Sequence, residues 1–253
     1  MKFLKNKKYI LLLCFLVFVP TMFAQETPLP FPKIGIDIGK SSKPEDVSVT
    51  LQILFLMTIL SLAPALMILT TAFSRIVIVM HFVKQSLGTQ QVPPSQILVG
   101  ISLFLTFFIM APTWKEANDK GLQPYLKNEI SLNEAYDRGI VPIRSFMFKH
   151  TKEEDLELFV QMSESNHPKS KEEVSTYVLI PAFALSELKV AFEIGFMLFI
   201  PFLVIDMVVA SVLMSMGMMM LPPVIISLPF KLLLFVLVDG WHLIVQSLVQ
   251  SFR

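Results

Sequence analysis

The chain has 253 residues, of which 54% are hydrophobic and 16% charged. Because about 25% of residues carry charge in soluble domains, this composition indicates an integral membrane protein. The net charge of +1 gives no indication of nucleic-acid binding. Cys14 is the only cysteine, so removal of the N-terminal segment would leave a protein without disulfides, thiolate metal sites or cysteine catalysis.

Residues 1–24 have the three-part order of a secretory signal peptide. Four lysines in the first eight residues precede an apolar run, Tyr9–Val19, that is too short to span a bilayer comfortably. Cleavage is predicted after Ala24. The alternative is an uncleaved anchor, because Met22 would occupy a position where a small residue is usual. Residues 25–48, which contain four prolines, are predicted to form an exported N-terminal tail.

Residues 49–114 are predicted to form a first pair of hydrophobic helices. The first, Val49–Thr71, is long enough to span a bilayer, and Pro64 within it predicts a kink. The second, Gln96–Ala111, ends close to Trp114, which suits the headgroup level.

The connection between these two helices carries several basic residues. If the N-terminal tail is exported, the loop at 84–95 lies on the cytoplasmic side of the membrane. Arg75, His81 and Lys84 agree with the tendency of cytoplasmic segments to be positively charged.

Residues 115–177 are predicted to form a small helical domain on the exported, periplasmic side. Residues 115–176 hold 21 of the chain's 41 charged residues. Ser131–Glu134 has the pattern of a capping box, and Gly139 is expected to end the short helix that follows. Thr151–Glu154 is predicted to be a second capping box, and Pro142 can start a helix between the two.

Four acids near the second capping box could be mistaken for a catalytic carboxylate set: Glu153, Glu154, Asp155 and Glu157. Acids are favoured in the first turn of a helix by the macrodipole, so we interpret them as a solvated face. The chain contains no HExxH, GxSxG, GxGxxG or Walker motif, and its four histidines show no ligand spacing. It is therefore predicted not to be an enzyme and to need no cofactor or metal.

Residues 178–253 are predicted to form a second pair of hydrophobic helices, joined by a Met-rich loop at 212–223. Recurring prolines predict kinked or broken helices, and Asp239–Trp241 is expected to interrupt the last one. Met is the most adaptable apolar side chain, and Gly217 places the loop at a helix end. The loop is therefore either a seal that can yield or part of an ordinary hairpin core. Its methionines are Met214, Met216, Met218, Met219 and Met220.

Six charged residues lie in Tyr177–Phe252, where ionisable groups need a partner or water: Glu187, Lys189, Glu193, Asp206, Lys231 and Asp239. Glu187 and Lys189 are near the start of the run, so the membrane interface is the alternative place for them, whereas Asp206 and Lys231 are well inside. Lys231 is predicted to pair with Glu187 or Asp206, within the chain or across subunits. Such groups indicate a bundle interior or a water-filled path, although a salt-bridged hairpin with no conduit would also satisfy them.

Long segments of the chain resemble the FliP/SctR family of type III secretion export-gate proteins. They are FSRIVIV (Phe73–Val79), Leu87–Pro112 and, above all, Ile180–Trp241. The signal-like N-terminus favours the flagellar branch of that family. The resemblance implies an all-α subunit of a pentameric ring in the inner membrane and flagellar basal body. Its partners would be FliQ, FliR, FlhA, FlhB and membrane lipid.

The function that this resemblance implies is passage of unfolded flagellar subunits through the centre of the ring. The Met-rich loop would face the channel as a gasket, formed by the five methionines named above. A small-solute or ion transporter is the alternative from another class. Such a transporter would be expected to show an internal repeat with matching broken helices, and no residue-level repeat is found.

Overall fold

A computed structural model describes residues 44–89, 92–163, 170–171, 173–218 and 220–252. These residues are helical with no β-strand among them, which confirms the all-α prediction. The predicted signal peptide at 1–24, and most of the tail at 25–48, lie outside this range. In chain order the helices are α1 (Pro44–Thr70), α2 (Phe73–Ser86), α3 (Ser95–Ala117), α4 (Gln123–Leu126), α5 (Leu132–His150), α6 (Glu153–Met162), α7 (Thr176–Ser215), α8 (Pro223–Leu237) and α9 (Gly240–Gln250).

Two compact units divide the chain, residues 1–54 and 55–253. Within the first unit only the start of α1 is described. Across the described residues, three stretches are long and apolar enough to cross a membrane: Leu51–Thr70, Ser95–Leu126 and Thr176–Ser215. The bent pair α8 and α9 would make a fourth. These helices agree with the membrane class that the composition predicts.

The first hydrophobic region forms three helices where two were predicted. Helix α2 occupies the segment between Thr71 and the polar turn, and its apolar residues recur at the spacing of one helix face. The buried side chains on that face are Ile76, Val79, Met80 and Val83. A run too short to cross a membrane is therefore the central core helix. Helix α1 continues through Pro64 and α3 continues through Pro112.

Helix α2 packs against both α3 and α7. Gly195 on α7 allows the close approach, since a Cβ there would lie 2.4 Å from Cδ2 of Phe82. Phe82 also packs edge-on against Phe192, with ring centroids 5.2 Å apart. Arg75, near the start of α2, contacts Glu187, and Phe82, near its end, contacts residues further along α7. The two helices therefore run in the same direction.

The second hydrophobic region contains one very long helix. Helix α7 has 40 residues and continues through Pro181 and Pro201, so the breaks predicted at prolines do not occur there. The predicted interruption at Asp239–Trp241 is confirmed, because Asp239 has a left-handed φ of 50° and α8 and α9 meet at 63°. The predicted domain boundaries at 114/115 and 177/178 fall inside α3 and α7.

The charged segment confirms the N-cap of one of the two predicted capping boxes but not the reciprocal bond, because the Glu134 carboxylate accepts from Arg138 at 2.6 Å. The Ser131 hydroxyl accepts a hydrogen bond from the Glu134 N–H at 3.3 Å. The helix does not end at Gly139, and Pro142 does not start another, because α5 runs through both. Gly139 instead lies against Gly121, and the absence of a side chain on Gly121 lets α5 approach the π-helical turn Asn118–Leu122.

The second predicted capping box is wrong. The Thr151 hydroxyl donates to the Met147 carbonyl at 2.7 Å and caps nothing in α6. Helix α6 begins after Lys152, whose N–H donates to the Ser186 hydroxyl at 2.9 Å. A tertiary contact with α7 therefore takes the place of the local cap.

Candidate functional site

The Met-rich segment at 212–223, which we call the Met turn, consists of the last turn of α7, the tight turn that follows it and the first residue of α8. Helix α7 ends in a Schellman motif, in which the Gly217 N–H donates to the Met214 carbonyl at 3.1 Å and the Met218 N–H to the Leu213 carbonyl at 3.0 Å. Gly217 has a φ of +75°, a conformation that residues with a Cβ rarely adopt. The sequence therefore ends the helix abruptly and presents the methionines at its tip.

The methionines of the Met turn that the structure describes lie on the surface of the chain. Their exposed fractions are Met214 60%, Met216 62%, Met218 38% and Met220 99%. Met219 lies outside the described residues. Apolar side chains exposed together at the end of a hairpin usually mark a surface that contacts another molecule. These four side chains are not part of this chain's own core.

A buried ammonium group lies below the Met turn. Lys231 on α8 is 2% exposed and donates to Asp206 Oδ2 on α7 at 2.6 Å. It also donates to the Ser86 carbonyl at the end of α2, at 3.1 Å. Ser227 donates to the other carboxylate oxygen of Asp206. Of the two partners considered for Lys231, the structure places Asp206 beside it, within one chain, and places Glu187 elsewhere.

Glu187 forms a second buried pair with Arg75. The Arg75 Nε donates to Glu187 Oε2 at 2.8 Å, and its Nη2 contacts Oε1, in a two-pronged arrangement. Arg75 Nη1 donates to the Ser251 carbonyl at 2.9 Å, and the guanidinium lies 3.9 Å from the centre of the Phe252 ring. This cluster joins α2 and α7 to the segment that follows α9.

The sequence analysis counted Arg75 among the basic residues of the cytoplasmic connection and assigned it no partner, whereas its side chain is 3% exposed and paired with Glu187. A charge count contained the missing signal. Helices α7 and α8 contain three acids, Glu187, Glu193 and Asp206, but only two lysines, Lys189 and Lys231, so one acid needs a cation from elsewhere in the chain. Arg75, flanked by the apolar residues of α2, is that cation.

Asp155 is also placed differently from the prediction of a solvated face. It is 1% exposed and accepts hydrogen bonds from the Ser186 hydroxyl at 2.7 Å and from the Lys189 ammonium. Burial alone would raise the pKa of Asp155, but the hydrogen bonds from Lys189 and Ser186 outweigh it and hold the pKa below its ordinary value. The other three acids of this group are exposed, as predicted.

His150, at the end of α5, is half-buried between two aromatic rings. Its ring centroid lies 4.8 Å from that of Phe146 and 5.2 Å from that of Phe252. Burial, followed by the positive charges of Arg75 and Lys149, lowers the pKa of His150 to about 4. The folded chain therefore holds this imidazole neutral well below the pH at which a free histidine takes up a proton.

We predict that this histidine destabilises the fold in acid. The unfolded chain binds the proton near pH 6.5 and the folded chain only near pH 4, so stability falls as the pH is lowered between those values. Chemical unfolding of the detergent-solubilised protein at pH 7 and pH 5 measures the loss. Between pH 7 and pH 5 the His150→Phe variant is expected to lose less stability than the parent. The control variant His242→Phe, which changes an exposed histidine, is expected to lose as much stability as the parent. An equal loss in His150→Phe would contradict the assignment.

A search of the described residues finds no group of three or more His, Cys, Asp or Glu side chains that could hold a metal ion. The polar clusters described above are each closed by internal ion pairs and hydrogen bonds. Their chemistry is that of structural pairing between helices.

Comparison with known proteins identifies the family. A model of the FliP family matches residues 56–248. The chain belongs to the FliP family. This confirms the resemblance, and the matched region includes α2 to α8 with the Met turn and both buried ion pairs.

Curated FliP relatives match nearly the whole chain. The flagellar biosynthetic protein FliP of Bacillus subtilis (strain 168) is 61% identical over 217 residues, which cover 86% of this chain and 98% of the relative. The protein of the same name from Borreliella burgdorferi is 49% identical and covers 94% of each chain. The one from Aquifex aeolicus is 47% identical over 88% of this chain and 92% of its own length.

Proposed function

We propose that this chain is a core subunit of the flagellar type III protein export gate. With FliQ-like and FliR-like subunits it forms a channel that conducts unfolded flagellar subunits, and it is not an enzyme. The observation that carries the proposal is the exposed Met turn at the end of the α7–α8 hairpin, in a member of the FliP family. Flexible Met side chains can close around an empty pore and also adapt to varied passing sequences.

Large apolar faces support assembly into a ring of copies. Helix α1 presents apolar side chains around its whole circumference, and α7 and α8 present further ones. Those on α1 include Phe55, Met57, Ile59, Leu60, Leu62, Leu66 and Met67, all at least half exposed apart from Leu66, at 48%. Exposed apolar area of this extent is covered by lipid or by other protein chains.

The ion pair between Glu193 and Lys152 indicates that part of this apolar surface contacts other protein chains and not lipid. Phe82, near the end of α2, contacts α7 on both sides of Glu193. Two residues later on α2, Lys84 donates to Ser95 at the start of α3, at 3.2 Å. Glu193 therefore lies level with the first turns of α3. Glu193 pairs with Lys152 at 2.7 Å, and both side chains are substantially exposed. A bilayer enclosing the apolar stretch of α3 would enclose this pair at high cost. Packing against other subunits avoids that conflict.

We therefore propose a pentameric ring in the inner membrane and flagellar basal body, next to FlhA-like and FlhB-like components. In this arrangement residues 25–48 and 115–177 lie on the periplasmic side. Lys152 of the second segment pairs with Glu193, level with the first turns of α3, so the loop at 84–95 is expected on that same side and not across a bilayer from it.

Deletion of the gene tests the assignment to the flagellar gate. We expect loss of swimming and of secreted flagellar subunits, both restored by the full chain, and co-purification of the chain with FliQ-like and FliR-like proteins. Intact motility and secretion, with loss of a virulence secretion system or of solute uptake instead, would contradict it.

Alanine substitution in the Met turn tests the gasket. Smaller side chains leave gaps in an apolar seal, so Met218→Ala/Met220→Ala is expected to increase ion leak through the membrane while secretion continues. Met162→Ala, which changes an exposed methionine on α6, is the control and is expected to remain sealed. Loss of the assembled complex without any leak would show instead that these methionines form a packing core.

A further inference from the structure

One buried ammonium group connects the hairpin below the Met turn to α2. Lys231 donates both to Asp206 Oδ2 and to the carbonyl of Ser86, the last residue of α2. The last carbonyls of a helix lack intrahelical partners and form the negative end of its dipole. Lys231 therefore caps the C-terminus of α2 from another helix while it neutralises an acid on α7.

A backbone contact lies beside this ammonium group. Gly88, just past the end of α2, has a φ of +72°, and a Cβ at this position would lie 3.4 Å from Val224 Cγ1 and 3.6 Å from Lys231 Nζ. Val224 is in the first turn of α8, directly after the Met turn. The end of α2 thus abuts the base of the hairpin. The cap and this contact together form what we call the brace.

The brace is close enough to the Met turn to set its position. Asp206 lies nine residues before the end of α7 at Ser215, about 14 Å of helix at 1.5 Å per residue. Ser227, which is fully buried and donates to Asp206, lies four residues after the start of α8, about 6 Å along it. A tilt of either helix at the brace therefore displaces the methionines beyond it.

We propose that Lys231 and Asp206 are positioning residues of the seal. The brace holds the α7–α8 hairpin against α2, so that the Met turns close the pore when no substrate occupies it. This inference rests on the proposed function of the Met turn as a gasket. Release of the brace leaves the Arg75–Glu187 pair and the α2–α3–α7 core intact, so the expected defect is a leak in a chain that still folds.

The test uses cells that produce the complete export apparatus. The variants are Lys231→Met, Asp206→Asn and the double variant Lys231→Met/Asp206→Leu. Assembled complex on native gels, secreted flagellar subunits and loss of membrane potential are measured for each. We expect all three to assemble and secrete, and to leak as much as Met218→Ala/Met220→Ala. The single variants are expected to be less stable but still to fold, because Asp206 is 28% exposed and this pair reaches water, whereas Glu187 of the other buried pair does not. Glu134→Gln, which breaks the exposed pair with Arg138 on α5, is the control for loss of an ion pair and is expected to remain sealed.

The double variant separates positioning from fold stability. It leaves no unpaired charge, and Ser227 retains the Val224 carbonyl as an acceptor at 3.1 Å, so stability is expected to recover. The cap on α2 is still absent, so the leak is expected to persist. A sealed double variant would assign the two residues to folding alone and overturn the inference.

The remaining outcomes distinguish failure of the brace from failure of the gasket. A sealed Lys231→Met complex beside a leaking Met218→Ala/Met220→Ala complex overturns the brace and leaves the proposed function standing. A sealed Met218→Ala/Met220→Ala complex overturns the gasket, and the brace with it. Failure of both Lys231→Met and Asp206→Asn to assemble overturns the brace, because the pair would then be required for folding.

Discussion

Replacement of Arg75 by methionine is expected to cost the fold about 3–5 kcal/mol, the usual effect of breaking a buried ion pair. The variant leaves the Glu187 carboxylate, which is fully buried, without its cation. It also removes the donor to the Ser251 carbonyl and the cation above the Phe252 ring. Because whole domains are stable by only about 5–15 kcal/mol, most of the chain should be degraded before assembly.

The amount of chain in isolated membranes, and its presence in the gate complex, measure this effect. Arg138→Met is the matched control, because Arg138 pairs with Glu134 on the exposed face of α5, where such pairs contribute little. Arg75→Lys is expected to be only a partial substitute, since lysine cannot bond both carboxylate oxygens in the same plane. Normal abundance of Arg75→Met would contradict the structural role of this pair.

Replacement of Gly121 by alanine is expected to force α5 away from the π-helical turn. The added Cβ would lie 2.6 Å from the Ala135 carbonyl oxygen and 2.9 Å from the Gly139 Cα. Both are backbone atoms that cannot rotate aside, so we expect a loss of about 1–3 kcal/mol or more. The urea midpoint of the solubilised chain measures the loss.

Gly139→Ala is the control for Gly121→Ala, on the opposite side of the same contact. A Cβ at Gly139 would meet its nearest atom, the Ala117 carbonyl oxygen, at 3.8 Å, which is ordinary contact. Alanine in the interior of α5 should be neutral or stabilising by up to about 1 kcal/mol. Equal effects of the two substitutions would contradict the asymmetric packing that the structure shows.

Local signals predicted the parts of the fold that depend on local chemistry. The Ser131 cap needs only a hydroxyl at the start of a helix, and the turn at Gly217 needs only a residue that tolerates positive φ. The interruption at Asp239 and the membrane class were likewise visible in the sequence. These predictions succeed because neighbours along the chain supply the determining interactions.

Tertiary contacts decided the features that the sequence did not reveal. Ser186 and Lys189 of α7 bury Asp155, which the macrodipole argument alone left in solvent. Gly139 is a point of helix contact and not a helix end, because Gly121 lies opposite. Arg75 is buried because an acid more than 100 residues away needs a cation. Such partners are not deducible from spacing along the chain.

The most direct test of the protein-conducting channel is photo-crosslinking from the Met turn to a substrate stalled in transit. A photoreactive residue replaces Met218 in one strain and Tyr136, an exposed side chain on α5, in another. A flagellar subunit fused to a stably folded domain blocks the gate. The stalled subunit is expected to crosslink to position 218 and not to position 136. A stalled subunit that crosslinks to position 136 but never to position 218 would contradict it.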